Sequence, residues 1–168
     1  IDGFIKRGKE FDIDSYDHVM FSYHGLPIRQ LDKVYEEGLC DDRDCEHELT
    51  DENHFCYKAT CYATTRAIAA GLGLSEDQYT VGFQSRLDDK WIKPYSDKIV
   101  EEKAKAGVKN MLVFSPAFVA DCLETLIEIG DEYQEIFEEN GGEKIQLVPS
   151  LNSDPDWVKA FANHIRTK

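Results

Sequence analysis

The sequence has no long apolar run. Among its 168 residues, no apolar stretch reaches the roughly 18 residues that a membrane-spanning helix needs. No basic segment followed by an apolar segment opens the chain, so we expect no secretory signal peptide. The sequence therefore predicts a protein without a transmembrane segment, while peripheral contact with a membrane stays open. The apolar fraction of 42% is that of a globular domain with a substantial core.

Positive charge is scarce. The chain has 19 Lys and Arg residues against 33 Asp and Glu residues, which gives a formal net charge of −14. This balance argues against nucleic acid as a partner, because nucleic-acid binding depends on neutralising phosphates with basic side chains. An excess of carboxylates fits a protein that handles cations, and it also fits mere solubility.

Cysteine is infrequent but clustered. Four of the five cysteines, Cys40, Cys45, Cys56 and Cys61, follow the pattern C-x4-C-x10-C-x4-C. Without a secretory signal, these thiols predict a reducing, cytoplasmic location and one tetrathiolate site rather than disulfides. Zinc and an iron–sulfur cluster both accept four thiolates. Two alternatives stay open: Cys56 and Cys61 facing a core, and substitution of His47 or His54 as ligands.

Glycine-rich phosphate-binding motifs are missing after every predicted strand, so the sequence gives no support for nucleotide binding. Strand patterns cover 17–23, 79–85, 110–115 and 144–149, and helical patterns alternate with them. This alternation predicts an α/β fold, with a four-stranded parallel sheet flanked by helices. We assign this domain to 17–168, a polar lead-in segment to 1–16 and the cysteine-bearing insert to 38–61.

Two places in this predicted fold carry residues suited to chemistry. His24 follows the first strand, at the sheet edge where α/β proteins bind ligands. Glu124, Glu128 and Glu132 recur every fourth residue on a helix predicted to begin near residue 120, and they would form one stripe that attracts a metal ion or protons. Apolar residues of the same helix recur at helical spacing on roughly the opposite face: Leu123, Leu126, Ile127, Tyr133, Ile136 and Phe137. The segment therefore also fits an ordinary amphipathic helix with a solvated acidic side.

Four motifs, in this order, resemble the ferrochelatase family. They are FSYHGLP at 21–27, VGFQSR at 81–86 with Trp91 and Pro94, PAFVADCLETL at 116–126 with Glu128, and PSLN at 149–152. The resemblance runs from about His18 to the last helix and covers the C-terminal half of that enzyme. It implies a Rossmann-like lobe, a missing N-terminal lobe, and insertion of Fe2+ as substrate into a porphyrin during haem biosynthesis.

The resemblance also implies roles for residues. His24 resembles the active-site histidine that accepts protons or binds the metal, and Glu124 resembles the carboxylate beside it. Glu128 and Glu132 resemble acids along a path for metal or protons, on a helix with π-type turns. Phe118 and Trp91 resemble residues of the substrate cleft. A fragment without the other lobe is expected to have little activity alone.

Some bacterial ferrochelatases resemble this chain in the insert and carry a 2Fe–2S cluster on its cysteines. The resemblance therefore favours a 2Fe–2S cluster over zinc on Cys40, Cys45, Cys56 and Cys61. The alternative function is a non-catalytic metal- or iron–sulfur-binding α/β module. The sequence leaves open whether the porphyrin is protoporphyrin IX or coproporphyrin III, and it does not reveal the oligomeric state, the iron donor or the role of the cluster.

Overall fold

The structure, a computed structural model, describes residues 1–35 and 45–167. Cys40 and the rest of the predicted insert before Cys45 lie outside the described residues. The α-helices are α1 (Asp2–Gly8), α2 (Ile28–Leu31), α3 (Tyr57–Leu72), α4 (Ser96–Lys105), α5 (Tyr133–Glu139) and α6 (Pro155–Arg166). A π-helix spans Glu124–Glu132, and short 3-10 helices cover Ile13–Ser15, Asp32–Val34 and Glu76–Gln78.

The predicted parallel sheet is confirmed. Its strands are β1 (His18–His24), β2 (Tyr79–Gln84), β3 (Asn110–Phe114) and β4 (Lys144–Leu147), in the order β2-β1-β3-β4. All three strand pairs are parallel. The chain moves outward from β1 to β2 and then crosses back to β3, so the direction of winding reverses at β1. Ligands of open α/β sheets bind beyond the carboxyl ends of strands at such a reversal.

Alternate residues of the central strands face two cores. On β1 and β3, Phe21 and Phe114 stack with ring centroids 5.0 Å apart in the core formed with α1 and α3. Met20 and Val113, one residue away on each strand, belong to the core on the other face, formed with α4, the π-helix and α5. Both faces of a parallel sheet are covered by helices, which is why these strands are almost continuously apolar.

Residues 1–16, predicted as a polar lead-in, contain α1 and a 3-10 helix. Phe4 of α1 is buried in the α3 core. Where α1 meets α3, a Cβ on Gly71 would lie 2.3 Å from a side-chain carbon of Ile5, so glycine permits the close approach of the two helices. The polar composition of this segment concealed a helix whose few apolar side chains all contribute to packing.

The helix after β3 begins at Leu123 rather than near residue 120. Its residues Glu124–Glu132 form a π-helix, in agreement with the π-type turns that the family resemblance implies. In this part the predicted apolar face is wrong: Leu123, Leu126 and Ile127 are 75%, 52% and 43% exposed. The side chains that enter the core are instead Thr125 and Ile129, followed by Tyr133 and Phe137 of the predicted face. The wider turn of a π-helix rotates successive residues differently, so an α-helical period selects the wrong face.

Candidate active site at the carboxyl end of the sheet

His24 is the last residue of β1, and the turn after it is closely packed. The Gly25 N–H donates to the carbonyl of Gln84 at 2.8 Å. A Cβ at position 25 would lie 2.9 Å from that carbonyl oxygen and 3.2 Å from Cε3 of Trp91, so glycine allows the two chains to approach. An isolated antiparallel bridge between Pro27 and Trp91 extends this contact. The turn therefore fixes both His24 and Trp91 at the carboxyl edge.

The imidazole of His24 lies between two aromatic rings with one nitrogen already engaged. Its centroid is 6.2 Å from the ring of Trp91 and 6.2 Å from the ring of Phe118. Nδ1 lies 2.7 Å from the carbonyl oxygen of Gly25. A carbonyl can only accept, so Nδ1 carries the proton of the neutral ring and Nε2 has the lone pair. The half-buried His24 is thus oriented to accept a proton at Nε2.

Glu124 begins the π-helix close to His24. Its carboxylate accepts a hydrogen bond from the Cys122 thiol, and this bond holds its pKa below the ordinary value for glutamate. The charge of His24 lowers that pKa further when the imidazole is protonated. The structure therefore places an ionised carboxylate within electrostatic range of the histidine. The role of Cys122 as a donor to Glu124 had no signal in the sequence.

Glu128 is the most completely hydrogen-bonded carboxylate of this region. Oε1 accepts from the Ser85 N–H at 2.7 Å and from the Tyr133 hydroxyl at 3.1 Å. Oε2 accepts from the Ser85 hydroxyl at 2.5 Å and from Nε2 of Gln84 at 3.0 Å. Ser85 adopts a positive φ of 60°, a conformation that these bonds help to maintain. Glu128 thus anchors the π-helix to the end of β2, and a cation that binds it must replace one of these donors.

The rest of the acidic helix faces solvent. Glu132 is exposed, and so are Glu135, Glu138 and Glu139 farther along. Only the first two members of the predicted stripe, Glu124 and Glu128, are partly buried at the sheet edge. The carboxylates of this helix thus divide into two environments.

The loop after β4 completes the edge. Asn152, at a positive φ of 50°, donates from Nδ2 to Oδ2 of Asp121 at 2.7 Å and accepts from the Asp121 N–H at 2.9 Å. The Asn152 N–H also donates to the carbonyl of Val119 at 2.8 Å. The PSLN motif therefore orders the loop that leads from Phe118 into the π-helix. All four motifs singled out in the sequence meet at one edge of the sheet.

Comparison with known proteins assigns the chain to a family. The sequence model of the ferrochelatase family matches residues 3–168. The chain belongs to the ferrochelatase family. The ferrochelatase of Pseudomonas putida is 48% identical over 153 residues, covering 88% of this chain and 45% of the relative. The ferrochelatase of Ectopseudomonas mendocina is 45% identical over 164 residues, covering 96% of this chain and 48% of the relative. The chain thus spans about half the length of the ferrochelatases it matches.

Three cysteines of the ferrochelatase insert lie close together. Cys45, Cys56 and Cys61 are buried against the α3 core. Burial raises the pKa of Cys45 and raises that of Cys61 to about 12, and in both cases repulsion from Cys56 adds to the shift. No disulfide bond is formed by the cysteines that the structure describes. Two features are therefore present at once: Cys56 and Cys61 face the core, and the three described cysteines lie near one another.

Within residues 1–35 and 45–167, no group of three or more His, Cys, Asp or Glu side chains is arranged to hold a metal ion. This covers His24 with the three glutamates as well as the three described cysteines, but not Cys40. In the same part of the chain, no helix is long and apolar enough to cross a membrane. The metal-ligand sets predicted from the sequence therefore stay predictions.

Proposed function

We propose that this chain supplies part of an active site that inserts Fe2+ into a porphyrin in haem biosynthesis. In the reaction, the macrocycle exchanges its two pyrrole N–H protons for Fe2+, so two protons must leave as the metal enters. The observation that carries the proposal is the pairing of His24 with Glu124. One is a histidine with Nε2 unprotonated in its neutral form, and the other is an ionised carboxylate at the same sheet edge.

His24 is the proposed proton acceptor. Because the bond to Gly25 commits Nδ1 as a donor, Nε2 is the basic nitrogen of the neutral ring, and the ring lies 6.2 Å from those of Trp91 and Phe118. An imidazole with a free lone pair is a common general base and suits removal of a pyrrole proton. The protonated imidazole is then stabilised by the carboxylate of Glu124.

Glu124 is the proposed first ligand of the incoming ion. Carboxylate oxygens exchange readily with the water shell of a divalent cation. Glu128 and Glu132 continue the proposed path for metal or protons toward solvent. Glu128 has donors on both oxygens, so passage of a cation would be stepwise, with Ser85 or Tyr133 releasing its hydrogen bond.

Trp91 and Phe118 are the proposed cleft residues for the macrocycle. Their rings flank His24, and Trp91 also lines an adjoining cleft of about 650 Å³ with Pro27 and Ile28. A planar, apolar substrate is recognised by such aromatic walls. In the relatives, roughly the other half of the protein is available to form the remaining walls. Protoporphyrin IX and coproporphyrin III both fit this chemistry.

A 2Fe–2S cluster on Cys40, Cys45, Cys56 and Cys61 is the proposed cofactor, with zinc on the same residues as the alternative. The donor set fits in kind: three of the four residues are neighbouring thiols, and burial, with repulsion from Cys56 as a smaller cause, raises the pKa of Cys45 and of Cys61 where no cation is bound. Either occupant would offset the charge of the thiolates that bind it and order the polar insert. A cytoplasmic location is part of the proposal, because thiols persist in reducing compartments.

The test uses this chain joined to the part of the Pseudomonas putida ferrochelatase that it does not match, here called the joined protein. We expect the joined protein to metallate both porphyrins measurably, and the 168-residue chain alone to do so at least a hundredfold more slowly. In the joined protein, His24→Ala and Glu124→Gln should each lower kcat/KM by about 10²-fold or more, the range typical of lost acid–base and electrostatic groups. Glu135→Gln, on the solvated part of the same acidic segment, is the matched control.

The result that overturns the proposal is unchanged metallation in both variants with an intact fold. That outcome would favour the non-catalytic metal- or iron–sulfur-binding module. If the 168-residue chain alone were as active as the joined protein, metallation would not require the other half of the relatives' sequence.

A further inference from the structure

We propose that Gln84 is a positioning residue that fixes the positions of Glu124 and His24 relative to each other. Gln84 is the last residue of β2 and is 1% exposed, so its side chain contacts other protein groups rather than solvent. It is paired with His24 in the parallel register of β1 and β2. A buried amide at the end of a strand must satisfy all its hydrogen bonds, and the partners of this one belong to the candidate site.

The first link runs to the histidine turn. The backbone carbonyl of Gln84 accepts the Gly25 N–H at 2.8 Å, directly after His24. The same Gly25 supplies the carbonyl that fixes Nδ1 of His24. Through this bond, the position of the Gln84 backbone determines where the imidazole of His24 is held.

The second link runs to the π-helix. Nε2 of Gln84 donates to the backbone carbonyl of Glu124 at 2.7 Å and to Oε2 of Glu128 at 3.0 Å. Both protons of the amide are therefore used on the first turns of the helix. One residue thus connects the backbone on both sides of the proposed His24–Glu124 pair.

Two buried serines fix the orientation of the Gln84 side-chain amide. Ser22 Oγ donates to Oε1 of Gln84 at 2.8 Å, which uses the single proton of that hydroxyl. In the second contact of Ser22, 2.8 Å from Ser96 Oγ, the hydrogen bond must therefore be donated by Ser96. This buried sequence of donors, from Ser96 through Ser22 to Gln84, makes the NH2 group face the π-helix.

The inference rests on the proposed function, and a double-mutant cycle in the joined protein tests it. Gln84→Leu should raise the KM for Fe2+ and lower kcat about tenfold or more, with the KM for porphyrin unchanged, because Trp91 and Phe118 are untouched. A mere loss of folded protein would lower the maximal rate and leave both KM values as they were. In the Glu124→Gln background, Gln84→Leu should cost no more than twofold further, because residues that act as a unit are non-additive.

Ser22→Ala is the second variant if Gln84→Leu fails to fold. It removes the hydroxyl that donates to Oε1 of Gln84 and replaces it with a smaller side chain. It should show the same rise in the KM for Fe2+ on a smaller scale. Gln146→Leu, a half-buried glutamine of β4, is the matched control and should retain the original kinetics.

The possible outcomes separate the two proposals. If His24→Ala and Glu124→Gln are inactive while Gln84→Leu and Ser22→Ala retain both KM values, the positioning role is wrong and the proposed function stands. Fully additive losses of Gln84→Leu and Glu124→Gln also overturn the positioning role. If His24→Ala and Glu124→Gln are fully active, the proposed function fails, and the positioning role fails with it.

Discussion

The hydroxyl of Tyr57 donates a hydrogen bond of 2.8 Å to the backbone carbonyl of His24. Tyr57 begins α3, between Cys56 and Cys61, and because its one hydroxyl proton goes to His24, its oxygen accepts the hydrogen bond that links it to the Cys61 thiol. Burial raises the pKa of Tyr57, so it stays a neutral donor. Contacts therefore lead from Cys61 through Tyr57 to His24, the proposed proton acceptor.

Tyr57→Phe tests this link in the joined protein. The variant leaves the His24 carbonyl without its donor, which should lower the free energy of unfolding by about 1 kcal/mol. Activity should fall less than in His24→Ala, because the imidazole itself remains. Thermal unfolding and porphyrin metallation measure the two effects. Tyr16→Phe, which precedes the amino end of β1, is the control, and equal effects of the two substitutions would argue against the link.

A 2Fe–2S cluster on the four cysteines of the insert should be visible in the absorption spectrum. Anaerobically purified joined protein is expected to show visible absorption bands and two irons per chain, and Cys61→Ser should abolish both. Cys122→Ser should retain them, because that residue lies at Glu124 instead. Colourless protein with one zinc per chain would reject the cluster and favour the alternative occupant.

His18 should make the stability of the chain depend on pH. Burial lowers the pKa of this 4% exposed imidazole from 6.5 to about 4, and repulsion from Lys103 adds to the shift. Between these values the unfolded chain takes up a proton that the folded chain does not. Stability is therefore full above pH 6.5 and falls as the pH drops toward 4, by an amount on the order of 3 kcal/mol.

Denaturant unfolding of the 168-residue chain at several pH values measures this effect. His18→Gln, which can still bond to the Thr80 hydroxyl, should flatten the difference between pH 7 and pH 4.5. His164→Gln, on the exposed face of α6, should leave it unchanged. An identical pH dependence in the His18 variant and the original chain would contradict the assignment.

Glu128 should be important for stability as well as for the proposed ion path. Glu128→Gln places an NH2 group against hydrogen-bond donors that now face a carboxylate oxygen, such as Ser85 and Tyr133. We expect a loss of about 1–3 kcal/mol in the free energy of unfolding, the usual effect of unsatisfied partly buried groups. Glu139→Gln is the exposed control. If chemical denaturation gives the same midpoint for both variants, Glu128 does not anchor the π-helix.

Much of the fold follows from local sequence pattern. The strands are short apolar runs that end in turn residues, and this pattern predicted all four. The helical pattern after the cysteine-bearing insert likewise corresponds to α3, which ends where Gly73 adopts a left-handed conformation with φ 75°. The motif around His24 also predicted that this residue lies at the carboxyl edge of the sheet, where it ends β1, since a strand end has few alternatives in a parallel sheet.

The sequence by itself determined the order of elements, the parallel sheet and the set of motifs at its carboxyl edge, because these depend on periodicity and on local turn chemistry. Only the tertiary structure decided which face of the π-helix is buried, that Glu128 is held by four donors, and that Gln84 joins the two sides of the candidate site. Those features depend on hydrogen bonds between residues distant in the chain, such as Ser85 with Glu128, and no local pattern encodes them.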